Sequence, residues 1–432
     1  MRILVVGGYG LIGAYVLARL HAEGHAVIGA GRDVRAAARR FAYAEWIAAD
    51  LSRMGLEDWR PRLAGIDAVV NCAGGLQDSP RDSLRAVHVD GPAALWRACV
   101  EAGVRRVVHI SAAGVGAGRP TAFNATKLES ESRLRALDLD WVILRPGLVL
   151  APAAYGGTAL LRALAAFPFA IPAVYPDQVV QVVWADDVAK AVAAAIPPDT
   201  PARMSLDLAH AEPLTLGQVL TSLRLWLGLA PAPVLTLPAA LAAPVSWGAD
   251  ALAWLGWRST LRSTTLEQLR AGIRAEAAPA LEAALGLKLK SLDEALASYP
   301  SGVQERWFAQ AYLVKPLAIA ILALFWLASG AIGLTVGGAK AVGLLTGAGF
   351  SAPLAEASVL SGSAVDIALA VLISFRRTAR LGCLGMIAVT AAYLAAASLW
   401  LPDLWLDPLG PLVKSVPAAM LALAVLALMD ER

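Results

Sequence analysis

Met1-Arg-Ile-Leu-Val-Val-Gly-Gly-Tyr-Gly-Leu-Ile-Gly13 opens the chain, and its reading decides the fold. Arg2 to Val6 is a short apolar run rich in β-branched residues, as expected of a strand buried in a parallel sheet. Gly7, Gly10 and Gly13 follow at intervals of three, and Leu11 to Leu20 continue with helical character. Strand, glycine turn and helix make the opening of a dinucleotide-binding βαβ unit. In such a unit Gly7 permits the tight turn, Gly10 lets backbone N–H groups approach a pyrophosphate, and Gly13 lets helix and strand pack closely. The helix N-terminus offers the phosphates the positive end of its dipole. Tyr9, Leu11 and Ile12 lie between these glycines and complete the expected cofactor loop.

Around that opening, 432 residues allow two or three domains. A hydrophobic content of 58% is too high for an ordinary soluble protein. The excess sits at the C-terminal end, so a soluble domain is expected to be fused to a membrane domain. The net charge of +3 gives no broad basic patch, which argues against nucleic acid as a partner. Cys72, Cys99 and Cys383 lie far apart, with no CxxC pair and no nearby His. Disulfide and zinc readings are therefore poor, no metal site is expected, and a reducing compartment suits the soluble part. The first strand begins at once, which leaves no room for a signal peptide.

Apolar strands alternate with helical stretches as far as about Gly228, predicting an α/β doubly wound parallel sheet. Strands are expected at Ala26–Ala30, Trp46–Ala49, Ala68–Cys72, Arg106–Ser111, Trp141–Arg145, Val179–Val183 and Met204–Leu208. Ligands of such sheets bind at the carboxyl ends of the strands. The second strand ends in Gly31-Arg32-Asp33. An acidic residue at this tip would grip the ribose 2′-hydroxyl of NAD, whereas an arginine pairs with the 2′-phosphate of NADP. Arg32 stands nearest, with Arg35 one helical step on, and Asp33 is expected to cap the next helix. NADP(H) is the expected cofactor, NAD the alternative.

These residues resemble the short-chain dehydrogenase/reductase superfamily, in particular its extended and atypical branches. The resemblance rests on Gly7–Gly13, on Asp50-Leu51 and Asn71-Cys72-Ala73-Gly74 after the third and fourth strands, and on Arg145-Pro146-Gly147 after the sixth. Trp184-Ala185-Asp186-Asp187-Val188-Ala189 fits the same branches, and the whole covers roughly the first 230 residues. The resemblance implies that Asp50 and Leu51 flank the adenine, that Ala73 and Gly74 line the ribose side, and that Pro146 and Gly147 lie near the nicotinamide. Asp186 and Asp187 read better as caps of the following helix.

The same resemblance implies a reactive Tyr-x-x-x-Lys pair on one helix and a Ser at the end of the fifth strand. Ser111 and Lys127 match and are the candidate catalytic residues. Phe123 stands where the tyrosine belongs, so the usual proton donor is missing. Thr126 is a poor acid and faces elsewhere, Tyr155 reads as a pocket wall before a displaced acid, and His109 as a packed core residue. His88 and Asp90 precede a helix beginning near Pro92 and are candidates for cofactor contact.

Beyond Ala209 the strands give out. The Ala209–Gln218 stretch resembles the start of the substrate-side subdomain of the same reductases. Pro231, Pro233, Pro238 and Pro244 mark a loop-rich stretch, and Ala239–Trp257 carries Asp250 as its single charge. Trp247, Trp254 and Trp257 are expected to pack in a core or over the pocket, with an interfacial helix as the alternative. Boundaries are placed at 1–230 for the dinucleotide domain, 231–311 for a helical connector and 312–432 for the membrane part. Glu305-Arg306-Trp307-Phe308 would lie at the bilayer surface.

Four spans are expected, at Pro316–Val336, Ala355–Phe375, Ala379–Leu401 and Leu409–Met429. Arg376, Arg377 and Arg380 follow the second span, while Asp403 and Asp407 follow the third. The positive-inside rule then puts the arginine loop, the dinucleotide domain and Asp430-Glu431-Arg432 in the cytoplasm. The Pro402–Pro417 segment and the four-span layout resemble the DoxX-like membrane family, some of whose relatives are associated with quinone-linked redox complexes. Asp366 and Lys414 fall inside spans, which suggests a mutual pair and, built on it, a proton or quinone site. The reading as a whole is a membrane-anchored NADP(H)-dependent oxidoreductase acting on an apolar, lipid- or quinone-like small molecule. Its alternative is a non-catalytic cofactor-binding subunit of a membrane redox complex. A homo-oligomer is the other partnership considered.

Overall fold

The computed structural model describes residues 1–78, 83–116, 121–257, 259–275 and 279–429. Asp430-Glu431-Arg432 lie outside them. By the density of internal contacts the chain divides into two compact units. One comprises Met1–Asp250 with Ser259–Arg306, the other Ala251–Arg258 with Trp307–Arg432.

The first unit is built on seven parallel strands: β1 (Arg2–Val6), β2 (Ala26–Gly31), β3 (Glu45–Ala48), β4 (Ala68–Asn71), β5 (Arg106–Ile110), β6 (Asp140–Pro146) and β7 (Met204–Leu208). Their order across the sheet is β7-β6-β5-β4-β1-β2-β3. Leu4 sits opposite both Ile28 and Val69, which places β1 in the interior of the sheet. Alternation along β1 serves both faces. Ile3 and Val5 enter one buried cluster, with Val16, Leu17, Leu20 and Val188, while Leu4 and Val6 enter the other, with Trp59, Leu95 and Trp96. A strand hidden on both sides must be apolar throughout, which is why its sequence reads as a run rather than an alternation. The strand order reverses between β1 and β4, so the crevice outside their carboxyl ends is where a ligand belongs.

The helices that matter to this site are α1 (Leu11–Ala22), α2 (Val34–Arg40), α3 (Gly91–Ala102), α4 (Ala122–Arg135), α5 (Gly157–Ala165) and α6 (Ala185–Ala194). One expected strand is not in the sheet. Val179–Val183 breaks at Gln181 into two short pieces, which pair with Leu214–Thr215 and Leu148–Leu150. At the break the Gln181 amide donates to His210 O and accepts from Ala275 N–H, while its backbone bonds to Ile273 and Leu148.

The 239–254 stretch forms one helix, α7 (Ala239–Trp254), and the boundary between the units falls inside it. The tryptophans do not pack as expected. Trp247 is 66% and Trp254 79% exposed, while Ser246 and Ala249 are buried. Trp257 instead donates its indole N–H to Ser374 O within the second unit.

That unit contains α8 (Val303–Leu334), α9 (Ala352–Ser374), α10 (Ala379–Trp400) and α11 (Pro411–Ala427). The first three are long and apolar enough to cross a membrane, with 22–28% of each apolar window buried inside the protein. So much outward apolar surface is what a bilayer covers. The fourth, at 17 residues, is shorter than expected at both ends: it starts after Gly410, in the left-handed region, and stops at Ala427. A short helix at Gly338–Gly347, not anticipated, links α8 to α9.

The expected Asp366–Lys414 pair does not form. Asp366 is buried and bonded to Ser329 and Tyr393, whereas Lys414 is exposed in the first turn of α11. One turn from a helix end, a lysine reaches the surface along its own stem and needs no buried partner.

Candidate functional site

At the end of β1 the backbone fixes the loop. Gly7 has φ +75°, and a Cβ there would lie 2.8 Å from Ala73 N. On Gly13 a Cβ would lie 2.3 Å from Gly7 O, so only glycine lets α1 descend onto the turn. Gly10 differs. Its N–H closes the turn onto Gly7 O at 2.9 Å, and a Cβ there would meet Gly7 O alone, at 3.2 Å. The other side of Gly10 is open, the cradle that a pyrophosphate requires. Leu11 and Ile12 begin α1, whose first turn carries no acidic residue. Its N–H groups, lacking intrahelical partners, suit an anion.

Tyr9 leaves this loop and reaches the tip of β2. Its ring lies against Gly31, where a Cβ would come within 2.2 Å, and its hydroxyl accepts the Arg32 N–H at 3.1 Å. Arg32 and Arg35 are exposed at this tip. Asp33 caps α2 as expected, accepting from Ala36 N–H. Asp50 folds back on Ser52, and the Leu51 side chain is buried in the core beside Trp59. Gly91 explains that packing, since a Cβ on it would strike Leu51 O.

After β4, Asn71 Oδ1 accepts the Ala73 N–H at 3.1 Å and so fixes the orientation of its amide. Asn71 Nδ2 then donates to His109 Nδ1, leaving His109 Nε2–H for Ser130, whose hydroxyl donates to His88 O. His109 is thus a packed, neutral core histidine. Burial holds it well below its ordinary pKa. The Gly75 N–H donates to His88 Nε2, so His88 carries its proton on Nδ1 and gives it to Thr126 Oγ1. Thr126 therefore faces inward. Burial, with the nearby Lys127 ammonium, pushes His88 down to about 3. Asp90 stays exposed and meets Arg85 and Arg133.

Lys127 is 4% exposed, donates to Ile110 O at 2.9 Å and is brought by burial down to about 8. A Cβ on Gly74 would lie 3.4 Å from its ammonium, so Gly74 gives that group its opening. One turn earlier, Phe123 presents an apolar ring edge-to-face with His88, centroids 5.5 Å apart.

Ser111 stands at the end of β5 as expected, but its hydroxyl is already engaged. Its hydroxyl donates at 2.6 Å to Glu131, which is fully buried and also takes two hydrogen bonds from Arg145 and one from Arg135. The sequence reading overlooked Glu131. Its signal was present one turn beyond Lys127, on the helix row that faces the strand-end Arg145. Breaking such a buried pair costs about 3–5 kcal/mol, so the carboxylate holds Ser111 and Arg145 firmly.

Pro146 is buried, and Gly147 is required by its neighbour, because a Cβ would sit 2.4 Å from Gln181 O. Tyr155 leads into α5, its N–H and carbonyl both bonded to Thr158. Asp186 and Asp187 do not cap α6. They lie in its first turn and pair with Lys190, and Asp187 also accepts the Lys290 N–H. Cys99 is buried and Cys72 half-buried, and burial pushes each thiol up to about 12.

A parallel sheet with this order, a glycine loop at its switch point and a lysine beneath the β4 loop define an NAD(P)-binding Rossmann domain. Comparison with known proteins agrees. Residues 7–196 match the NAD(P)H-binding family and residues 323–423 the DoxX-like family, so the chain joins an NAD(P)H-binding domain to a DoxX-like membrane domain. An uncharacterised protein of Mycobacterium tuberculosis is 30% identical over 190 residues, 43% of this chain and 19% of its own length. A UDP-glucose 4-epimerase of Mycolicibacterium smegmatis is 34% identical over 135 residues, 28% of this chain and 42% of its own. The chain thus spans less than half the length of these relatives. Among solved structures, MoeE5 in complex with UDP-glucose and NAD is 19% identical with a TM-score of 0.52, covering 72% of this chain and 100% of its own. UDP-glucuronic acid 4-epimerase from Bacillus cereus, in complex with UDP-glucuronic acid and NAD, is 16% identical with the same TM-score and coverage. At these identities the likeness is one of fold.

Proposed function

We propose that the protein is a membrane-anchored NADP(H)-dependent oxidoreductase that transfers hydride to an apolar acceptor without a tyrosine acid. The observation that carries the reading is Phe123, an apolar ring against a neutral His88 where the acid would stand. A ketone reduced to an alkoxide needs a proton in place as charge develops, and this wall supplies none. A quinone-like acceptor spreads the charge over its ring and takes its proton from water afterwards, so it needs no donor here. The cofactor, when bound, supplies the hydride.

The chain's own residues do the rest. The glycine loop and the first turn of α1 hold the pyrophosphate. Asp50 and Leu51 border the adenine, Arg32 pairs with a 2′-phosphate, and Tyr9 holds the backbone that carries Arg32. Lys127, Ala73 and Gly74 bind the ribose, and Pro146 and Gly147 border the nicotinamide. Ser111 is a positioning residue that ties β5 to Glu131. The arginines between α9 and α10, against the aspartates between α10 and α11, favour a cytoplasmic-membrane topology with the dinucleotide domain and C-terminus inside.

The test is stopped-flow oxidation of NADPH by detergent-solubilised protein, with a short-chain quinone and with a ketone of similar size. Turnover with the quinone alone is expected, and equal turnover of the ketone would overturn the reading. A second reading, a cofactor-binding subunit without turnover in a membrane redox complex, is favoured by the engagement of Ser111 with Glu131. NADPH binding with no oxidation by either acceptor would establish it.

A further inference from the structure

Asp366 lies well inside α9, with about 21 Å of helix before it and about 12 Å after it. An ionisable side chain at such depth is costly and marks a functional position by default. Its surroundings are specific. Ser329 on α8 bonds to Oδ2 at 2.6 Å, and Tyr393 on α10 donates to Oδ1 at 3.3 Å. Three helices therefore converge on one carboxyl group. Glycines make this approach possible: a Cβ on Gly330 would lie 2.5 Å from Ser363 O, and one on Gly362 would lie 2.9 Å from the Tyr393 hydroxyl. Asp366 is 5% exposed, whereas Tyr393, bonded to it, is 45% exposed, so the tyrosine extends from the enclosed acid to the outer face of the bundle.

No lysine or arginine pairs with Asp366 among the described residues; both partners are hydroxyls. That choice has a chemical meaning. An ammonium or guanidinium would hold the acid ionised. A hydroxyl both donates and accepts, so it suits the carboxylate and the carboxylic acid alike. With the proton absent, Ser329 and Tyr393 both donate to the carboxylate. With it present, Oδ2–H donates to Ser329 while Tyr393 still donates to Oδ1. The group can change state with every heavy atom in place.

We propose that Asp366, Ser329 and Tyr393 form a reversible proton-binding site within the membrane domain. The reaction is transfer of one proton from hydronium to one carboxylate oxygen, leaving water, and its return to water on release, with no change of oxidation state. The site stands on the membrane unit alone and is independent of the chemistry assigned to the dinucleotide domain.

Dicyclohexylcarbodiimide, an apolar reagent that modifies protonated carboxyl groups, tests it on the full-length protein in liposomes, read by peptide mass spectrometry. Asp366 should be labelled at acidic pH, with labelling falling ~tenfold per pH unit above a single midpoint. Exposed Glu356 at the start of α9 serves as the control. Asp366→Asn should remove the label, and Tyr393→Phe and Ser329→Ala should each displace the midpoint. The wild-type titration stands even where a variant fails to fold. Absence of label at every pH, a label indifferent to pH, or a label suppressed by sodium ions at constant pH would each overturn the proposal, the last by making this a metal-cation site.

Discussion

The glycine loop after β1 and the wall made by β5 and α4 flank the same end of the sheet, but they hold their residues by different physics. In the loop each identity follows from backbone geometry: Gly7 from its left-handed φ, Gly13 from Gly7 O, Gly10 from the open space a ligand needs. In the wall the backbone permits many side chains, and what matters is which polar group has found which partner. Ser111 and Lys127 occupy the expected positions, yet one is bonded to Glu131 and the other to Ile110 O. A motif in a loop reports its function; a motif on a wall reports only that the frame is present.

That contrast can be broken most sharply at Gly10. Gly10→Val should lower cofactor affinity by at least ~100-fold in isothermal titration with a smaller loss of melting temperature than at Gly13, since its Cβ meets Gly7 O alone, at 3.2 Å, and the γ carbons crowd the ligand space. Gly13→Val should instead destabilise the fold by about 1–3 kcal/mol or more, because its methyl groups meet backbone. Equal melting temperatures for the two variants would show that the loop does not discriminate in this way.

On the wall, Phe123→Tyr restores a phenol one turn before Lys127. A placed general acid contributes about 10²–10⁴-fold, and with Ser111 engaged elsewhere a gain near the lower end is expected in NADPH-dependent ketone reduction. Wild-type ketone reduction that Phe123→Tyr leaves unchanged would point to another donor.

Arg32→Asp should reduce affinity for NADPH by about 10- to 100-fold, in line with the about 1.5–3 kcal/mol of a charge-assisted hydrogen bond, and should spare NADH. Equal losses for both would show that Arg32 does not read the 2′-phosphate. The smallest effect belongs to Lys127. With its pKa brought down to about 8, it is charged below that value and neutral above it. Affinity for cofactor should therefore be highest below about pH 8 and fall several-fold as pH rises through it, and Lys127→Met should flatten the profile.

Most of the architecture was legible because periodicity and glycine spacing are local signals. The seven strands from β1 to β7 and the apolar helices follow from them. Val179–Val183 misled because an apolar run does not show which strands it will pair with, and its two halves pair with Leu214–Thr215 and Leu148–Leu150 outside the main sheet. The tryptophans of α7 misled because helical spacing gives a face without saying which way it turns. The expectation for Asp366 and Lys414 failed for a related reason. Opposite charges in neighbouring spans invite pairing, but depth along the helix and hydroxyls on other helices decided otherwise. Glu131 went unread because its partners come from β5 and β6, brought together only by the sheet.

The state of the three cysteines has a practical consequence for mapping which side of the membrane each loop faces. Cys99 and Cys383 are fully buried, and the thiol of Cys72 is held in its protonated, unreactive form. The chain is thus close to a thiol-silent background, and one cysteine added at the surface will report its own exposure. Under the topology proposed here, Leu406→Cys in intact cells should react with a membrane-impermeant maleimide, whereas Arg377→Cys should react only after the cells are opened. Few multi-pass proteins can be mapped this way without first removing their native thiols.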